Sequence, residues 1–453
     1  MIYTPVIDRH SSRLILIFSG WGTDARLYSG LRGIDGYDIA VMHDYETLQI
    51  TTEEEQKLSD YSEIVIVAWS YGVASASLFM NEHTSLPYTL RIAVNGTPRP
   101  VDDDCGIPRA IFEGTLNTLS ENTLRKFYRR MSGGATASKA IEPLLPAIDL
   151  EALKRQLTNI GNRPAPHHPA TLWDTAVIAD SDAIIPTANQ LNAWQKLIPT
   201  ELVSGPHLPD FQQIIETHIT DKGLVAQCFG RSIDTYGQHA RVQRLMAHQL
   251  ADLLLSEAPA RIDRMIEVGA GTGLLTECYA PRLSARHLEL WDLIELNPSL
   301  PGIHISCDAE TAMLRQPDRS ADVIASAATV QWMNSPIAFA RESLRVLRPG
   351  GLLALSTFGE RNFEELNEFT NRTVYPSAEQ WRHALNVEGH EVSISESIET
   401  MTFASPRDLL IHMRLTGVNA SSGGATRAAM SIMKSGLTSL TYHPLIITVR
   451  RLN

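Results

Sequence analysis

Ile64-Val65-Ile66-Val67-Ala68-Trp69-Ser70-Tyr71-Gly72-Val73 is an apolar run that ends on a serine, and the small residues Ala74, Ser75 and Ala76 follow it. The β-branched half reads as a buried strand and the small-residue half as the opening of a helix, so Ser70 falls on a sharp turn between them. Such an elbow projects the serine Oγ away from the sheet, and small neighbours two residues before and after it let strand and helix approach closely. Gly72 meets that need, while Ala68 stands where glycine is usual.

Serine is a poor nucleophile until a base takes its proton, so the elbow calls for a base and an orienting acid elsewhere in the first half. A strand candidate at Ala176–Ala179 runs into Asp180-Ser181-Asp182-Ala183-Ile184-Ile185-Pro186, a strand-end loop that offers Asp182, with Asp180 in reserve. Ser204-Gly205-Pro206-His207-Leu208-Pro209 then offers His207 as general base. Serine, acid, histidine is the chain order that an elbow-bearing sheet requires. Two backbone N–H donors would complete an oxyanion hole, one from Tyr71 after the nucleophile and one from Trp21 in Ser19-Gly20-Trp21-Gly22-Thr23. The pair His167-His168, flanked by prolines, reads as plain loop. The first half is thus expected to be an α/β-hydrolase.

Between Asn95 and Thr171 strand patterns give way to helical periods, which predicts a cap over the site at about residues 100–170. Within it Arg125, Lys126, Arg129 and Arg130 crowd into one short run of a chain whose net charge is −12. Such a run is ordinarily a solvated helix face; a docking patch for an acidic partner is the alternative.

The second half opens on Met265-Ile266-Glu267-Val268-Gly269-Ala270-Gly271-Thr272-Gly273-Leu274. This is a strand followed by E-x-G-x-G-x-G, with Leu274 where a dinucleotide fingerprint wants a further glycine, a pattern that favours S-adenosylmethionine over NAD. Asp292 closes the next strand at the distance expected of a carboxylate on the ribose hydroxyls. Asp308 and Ala309 fall where the adenine is met, and Ser326 where the methionine part is lined. Leu347-Arg348-Pro349-Gly350-Gly351-Leu352 reads as the helix stop before a fifth strand. A Rossmann-like class I methyltransferase is the expected fold.

Length supports a division, since 453 residues with 43% hydrophobic content exceed what one core usually serves. The boundary is expected near the glycine-containing stretch Ile219–Tyr236, giving domains 1–220 and 221–453. Four scattered cysteines suggest neither a disulfide framework nor a metal site, which fits the cytoplasm. The acidic balance argues against general nucleic-acid binding, and no apolar run is long enough to span a bilayer.

Both halves resemble known families. From Phe229 to about Arg450 the chain is similar to the BioC-type malonyl-acyl-carrier-protein methyltransferases of biotin synthesis. The resemblance rests on Ser232-Ile233-Asp234-Thr235-Tyr236, Ala240, Gln243, Thr329-Val330-Gln331-Trp332-Met333 and Ser356-Thr357-Phe358-Gly359. From Met1 to about Glu216 it resembles the BioG-type pimeloyl-carrier-protein methyl ester esterases, through Ser19-Gly20-Trp21-Gly22, the elbow, and Phe127-Tyr128-Arg129-Arg130-Met131. The resemblance implies a bifunctional enzyme whose partner is acyl carrier protein, with Tyr236, Gln331 and Trp332 at the methyl acceptor. Two alternatives stand beside it: a small-molecule methyltransferase fused to a general carboxylesterase, and one fused to a catalytically dead carrier-docking module.

Overall fold

The computed structural model describes residues 1–163, 172–195, 197–369, 375–387, 389–416 and 425–452, so His167 and His168 lie outside the described residues. The chain separates into two compact units, Met1–Ile215 and Glu216–Asn453.

In the first unit the strands are β1 (Ile2–Ile7), β2 (Arg13–Phe18), β3 (Asp38–His43), β4 (Glu63–Trp69), β5 (Tyr88–Val94), β6 (Thr175–Ala179) and β7 (Thr200–Val203). They form one sheet in the order β1-β3-β2-β4-β5-β6-β7. β1 runs antiparallel to β3, and the other neighbouring pairs are parallel. β4 is buried along its whole length, which is why its sequence is continuously apolar rather than alternating. The helices are α1 (Thr52–Ser59), α2 (Tyr71–Glu82), α3 (Arg109–Asn117), α4 (Glu121–Met131), α5 (Ala135–Ile141), α6 (Leu150–Asn162), α7 (Thr187–Trp194) and α8 (Phe211–His218), of which α3 to α6 interrupt the sheet between β5 and β6.

The second unit holds β8 (Arg264–Val268), β9 (His287–Asp292), β10 (Ile303–Ser306), β11 (Ala321–Ala327), β12 (Leu347–Phe358), β13 (His390–Glu396), β14 (Glu399–Thr402), β15 (Ser439–Tyr442) and β16 (Pro444–Arg451). Its main sheet runs β10-β9-β8-β11-β12-β16-β13, with β14 and β15 paired apart from it. Strands β8 to β12 are parallel to one another and β16 is antiparallel to both β12 and β13, a Rossmann-like sheet. Helices α9 (Lys222–His239), α10 (Arg241–Glu257), α11 (Leu274–Tyr279), α12 (Ala309–Leu314) and α13 (Pro336–Val346) accompany it.

The stretch chosen from sequence as the boundary is therefore mostly helix α9. Its glycines Gly223, Gly230 and Gly237 recur every seven residues and so share one face, where an added Cβ at Gly230 or Gly237 would meet nothing within 4 Å. No helix of the described residues is long and apolar enough to cross a membrane, and all four cysteines are free.

The elbow depends on one close approach. A Cβ on Gly72 would lie 2.3 Å from the carbonyl oxygen of Phe18 and 2.7 Å from that of Ser19, both backbone atoms that cannot swing aside. Ala68 needs no such space: its methyl is fully buried in the core with Phe18 and Val73. Gly72→Ala should therefore destabilise the protein by about 3 kcal/mol through overpacking. Urea unfolding checks this, and an unchanged midpoint would show that the approach is slack.

Candidate active sites

In a parallel sheet all strands deliver their carboxyl ends to one edge, and β4, β6 and β7 end on the segments that carry Ser70, Asp182 and His207. Ser70 sits at φ 58° and ψ −128°, a backbone conformation that non-glycine residues rarely adopt. Its hydroxyl lies 2.9 Å from His207 Nε2, and His207 Nδ1 lies 2.7 Å from Asp182 Oδ2. Because Asp182 Oδ2 accepts a hydrogen bond from Nδ1–H, the proton stays on Nδ1 and Nε2 is left to accept from Ser70 Oγ. The His207 and Asp182 side chains are sealed from solvent.

Burial works to raise the Asp182 carboxyl, yet the His207 ring and the N–H groups of Ile184 and Ile185 hold it below the ordinary carboxylate range. Those two N–H groups donate to Oδ1 at 2.8 and 2.9 Å, and Gln190 Nε2 donates to Oδ2 at 2.8 Å. Asp180 takes no part in the relay. It is exposed, and its Oδ1 accepts from Ser181 Oγ and Gly205 N, a latch between two loops.

Residues without a sequence signal fix the histidine loop. Trp69 Nε1 and Asn95 Nδ2 each donate to His207 O at 2.8 Å, while Asn95 Oδ1 accepts from Ala179 N. Asn95 thus staples the ends of β5 and β6 to the loop. The cap joins in: Leu208 N donates to Met131 O at the end of α4, and Trp21 Nε1 donates to Leu153 O on α6. Among the described residues the backbone N–H groups of Trp21 and Tyr71 meet no backbone acceptor.

On α4, Leu124, Phe127, Tyr128 and Met131 are buried, which turns Arg125, Lys126, Arg129 and Arg130 outward. Arg125 pairs with Glu121 at 3.6 Å. A groove runs from Trp21 past Ile111, Leu119 and Phe127 to Lys126, Arg129 and Arg130.

In the second unit a cleft opens beside the carboxyl ends of β8, β9 and β11. Glu267, Gly269, Gly271, Asp292, Asp308, Ala309, Tyr236 and Trp332 all line it. The glycine loop is drawn tight: Gly271 N donates to Asp292 Oδ2 at 2.8 Å, and Gly269, at φ +70°, has no room for a Cβ, which would meet Thr329 Oγ1 at 2.1 Å. Burial raises the Asp292 carboxyl against the opposing pull of the Ile294 and Gly271 N–H groups. Thr272 Oγ1 and Gln243 Oε1, both in the cleft wall, are buried with no hydrogen-bond partner among the described residues. Polar atoms left so in a cleft wall fit a polar occupant.

Three sequence candidates stand apart from the lining. Ser326 Oγ donates to Val268 O at 2.9 Å and ties β11 to β8, and the next residues, Ala327, Ala328 and Thr329, face the cleft instead. Gln331 Nε2 donates to Ala328 O and braces that turn, and Gly273 packs against Leu300. Conversely, Lys222, Val225, Phe229 and Gln243 line the cleft although sequence gave them no site role.

These features define an α/β chain with a methyltransferase sheet in its second half and a buried Ser-His-Asp relay in its first. Residues 238–401 match the family described as a methyltransferase domain, and residues 2–216 match the one described as pimeloyl-ACP methyl esterase BioG. A malonyl-[acyl-carrier protein] O-methyltransferase of Bacteroides fragilis is 34% identical over 467 residues, 96% of this chain and 92% of the relative. One from Haemophilus influenzae is 31% identical over 51% of this chain and 95% of its own length. The crystal structure of BioG from Haemophilus influenzae, at 32% identity, covers 46% of this chain and 94% of that one with a TM-score of 0.40. The chain belongs to the family in which a BioG-type half precedes a BioC-type malonyl-[acyl-carrier protein] O-methyltransferase half.

Glu267 carries the prediction for this site. Its Oε2 accepts from Thr276 Oγ1 at 2.8 Å and from Tyr279 Oη at 2.6 Å, and burial, opposed by those bonds, pushes its carboxyl up to about 7. An acid whose folded value is raised contributes stability that is full below its unfolded value and is lost as pH rises through the folded one. Over that window the loss is about 3 kcal/mol at roughly 1.4 kcal/mol per unit. Glu267→Gln should remove this dependence, so wild type minus variant stability falls between pH 4.5 and 7. A pH-independent difference in urea unfolding would contradict it.

Proposed function

We propose that the chain performs two steps of biotin synthesis, methylating the free carboxylate of malonyl-acyl-carrier-protein and hydrolysing the methyl ester of pimeloyl-acyl-carrier-protein. The observation that carries the hydrolase half is the continuous Ser70–His207–Asp182 relay at a strained elbow. On this reading residues 1–220 are an α/β-hydrolase with α3 to α6 as its cap, and residues 221–453 are an S-adenosylmethionine-dependent methyltransferase. The intact relay favours an active esterase over a dead docking module.

Ester cleavage follows from the geometry. His207 Nε2 takes the Ser70 proton as Oγ attacks the ester carbonyl, and the ionised Asp182 stabilises the imidazolium that results. The Trp21 and Tyr71 N–H groups would receive the developing oxyanion. His207 then returns the proton to the departing methanol, and water repeats the cycle on the acyl-serine. A free ω-carboxylate suits the apolar channels of chain elongation poorly; methylation hides it and this step uncovers it.

In the second unit Asp292 would hold the ribose hydroxyls, Asp308 and Ala309 the adenine, and the Gly269–Gly271 loop the methionine part. S-adenosylmethionine, when bound, supplies an electrophilic methyl group. The acceptor carboxylate is already ionised at neutral pH, so Tyr236, Trp332 and the turn braced by Gln331 need only orient it and exclude water. An indiscriminate esterase would undo that product at once, so chain length must discriminate, with the groove from α4 to Trp21 as the channel that would take the longer chain.

Two outcomes follow. Ser70→Ala should lower ester hydrolysis by roughly 10⁴-fold or more and leave methyl transfer unchanged; loss of both in a folded variant would contradict two independent sites, and a wild-type chain that no fluorophosphonate labels would contradict the esterase. Replacing Arg125, Lys126, Arg129 and Arg130 together with alanine should raise KM for carrier-bound ester and spare a small soluble ester. Because exposed charges are screened within about 10 Å at 0.1 M salt, wild-type activity on the carrier-bound ester should fall as salt rises. Equal losses on both substrates would make the run plain cap surface.

A further inference from the structure

Lys222 is a buried cation that no step above uses. Its side chain is 5% exposed, and Nζ lies 2.6 Å from Asp308 Oδ2 and 2.5 Å from Glu310 Oε2. A compact ammonium can bridge two carboxylates in this way, and each partner offsets part of the cost of burying the others. Glu310 in turn accepts from Asn334 N at 2.9 Å and from Ser335 N at 2.8 Å, and Thr220 N donates to Asn334 Oδ1.

The triad joins segments that wall the cleft. Lys222, Val225, Ala226, Phe229, Ile233 and Tyr236 form one face of α9 and line it. Cys307, Asp308 and Ala309 line it from the turn into α12, and Met333 from the segment that Glu310 caps. Among the described residues Lys222 is the one cation in that lining, against the carboxylates of Glu267, Asp292 and Asp308. Asp308 Oδ1 is held by the Glu310 N–H and Oδ2 by Lys222, so the carboxylate has a fixed orientation at the cleft wall.

We propose that Lys222 is a positioning residue for the adenosyl part of the cofactor: by bridging Asp308 and Glu310 it sets the carboxylate that meets the adenine and seats α9 against the ligand. The proposal rests on the cofactor assignment made above. Glu310 serves the wall, Asp308 serves the ligand, and Lys222 couples them.

Calorimetric titration of the full chain with S-adenosylhomocysteine is the test. K222M should weaken binding roughly tenfold or more, and K222R, which keeps the charge, should restore part of it. 5′-Methylthioadenosine, which has the adenine and lacks the amino-acid end, should lose the same factor. Binding by folded K222M within about twofold of wild type, or a loss that spares methylthioadenosine, overturns the proposal. Should K222M strand Glu310 and fail to fold, K222M/E310Q, which removes both charges, is read in its place; failure of that variant to fold also overturns it, because the triad would then hold the domain rather than the ligand. A wild-type chain that binds neither compound overturns the cofactor assignment itself, before any variant enters.

Discussion

Close approach of the backbone to its neighbours at the carboxyl edge of a parallel sheet is the constraint on which both halves of this chain depend. There the chain must turn within a few ångströms of its neighbours, and a single methyl group decides whether it can. At the elbow the Phe18 carbonyl leaves no space for a side chain at Gly72, and that contact lets α2 start directly behind Ser70. At the second edge Thr329 leaves none at Gly269, which keeps the loop close enough for Gly271 N to reach Asp292. The chemistry differs between the halves, but the physical precondition is shared.

Electrostatics then sort residues of one type into different tasks. Asp182 and Glu267 are both buried acids, yet one is held below the usual carboxylate range and the other above it. Asp182 faces His207 and the N–H groups of its own loop, which reward a negative charge. Glu267 faces two hydroxyls, which bond to it but offset only part of its desolvation. Lys222 solves the converse problem by gathering two carboxylates around a cation that solvent barely reaches.

Sequence disclosed what local pattern encodes. A continuous apolar run marked β4, and motif spacing marked Ser70, His207, the glycine loop and Asp292. It was silent where an element is short or at an edge: β1 carries Pro5 and pairs with β3 alone, and β7 and β10 have four residues each. It was silent too on long-range hydrogen bonds, since Trp69 reaches His207 across 138 positions and Asn95 across 112. Asp180 and Asp182 look equivalent in the chain; only the turn that buries one and exposes the other separates them. Helix α9 escaped notice because its outward glycines diluted an apolar face whose function is to line a cleft.

The bond from Trp21 to Leu153 O has an evolutionary corollary. The acceptor on α6 is a main-chain atom, so residue 153, buried as it is, can drift among apolar helix-forming types without disturbing it. Inserting or deleting one residue upstream in that helix would instead rotate the carbonyl by about 100°, swinging it away from the indole beside the elbow. Lineages that remodel the cap are therefore free to rewrite its letters but bound to keep its count, and gaps in α6 should be rarer among descendants than substitutions.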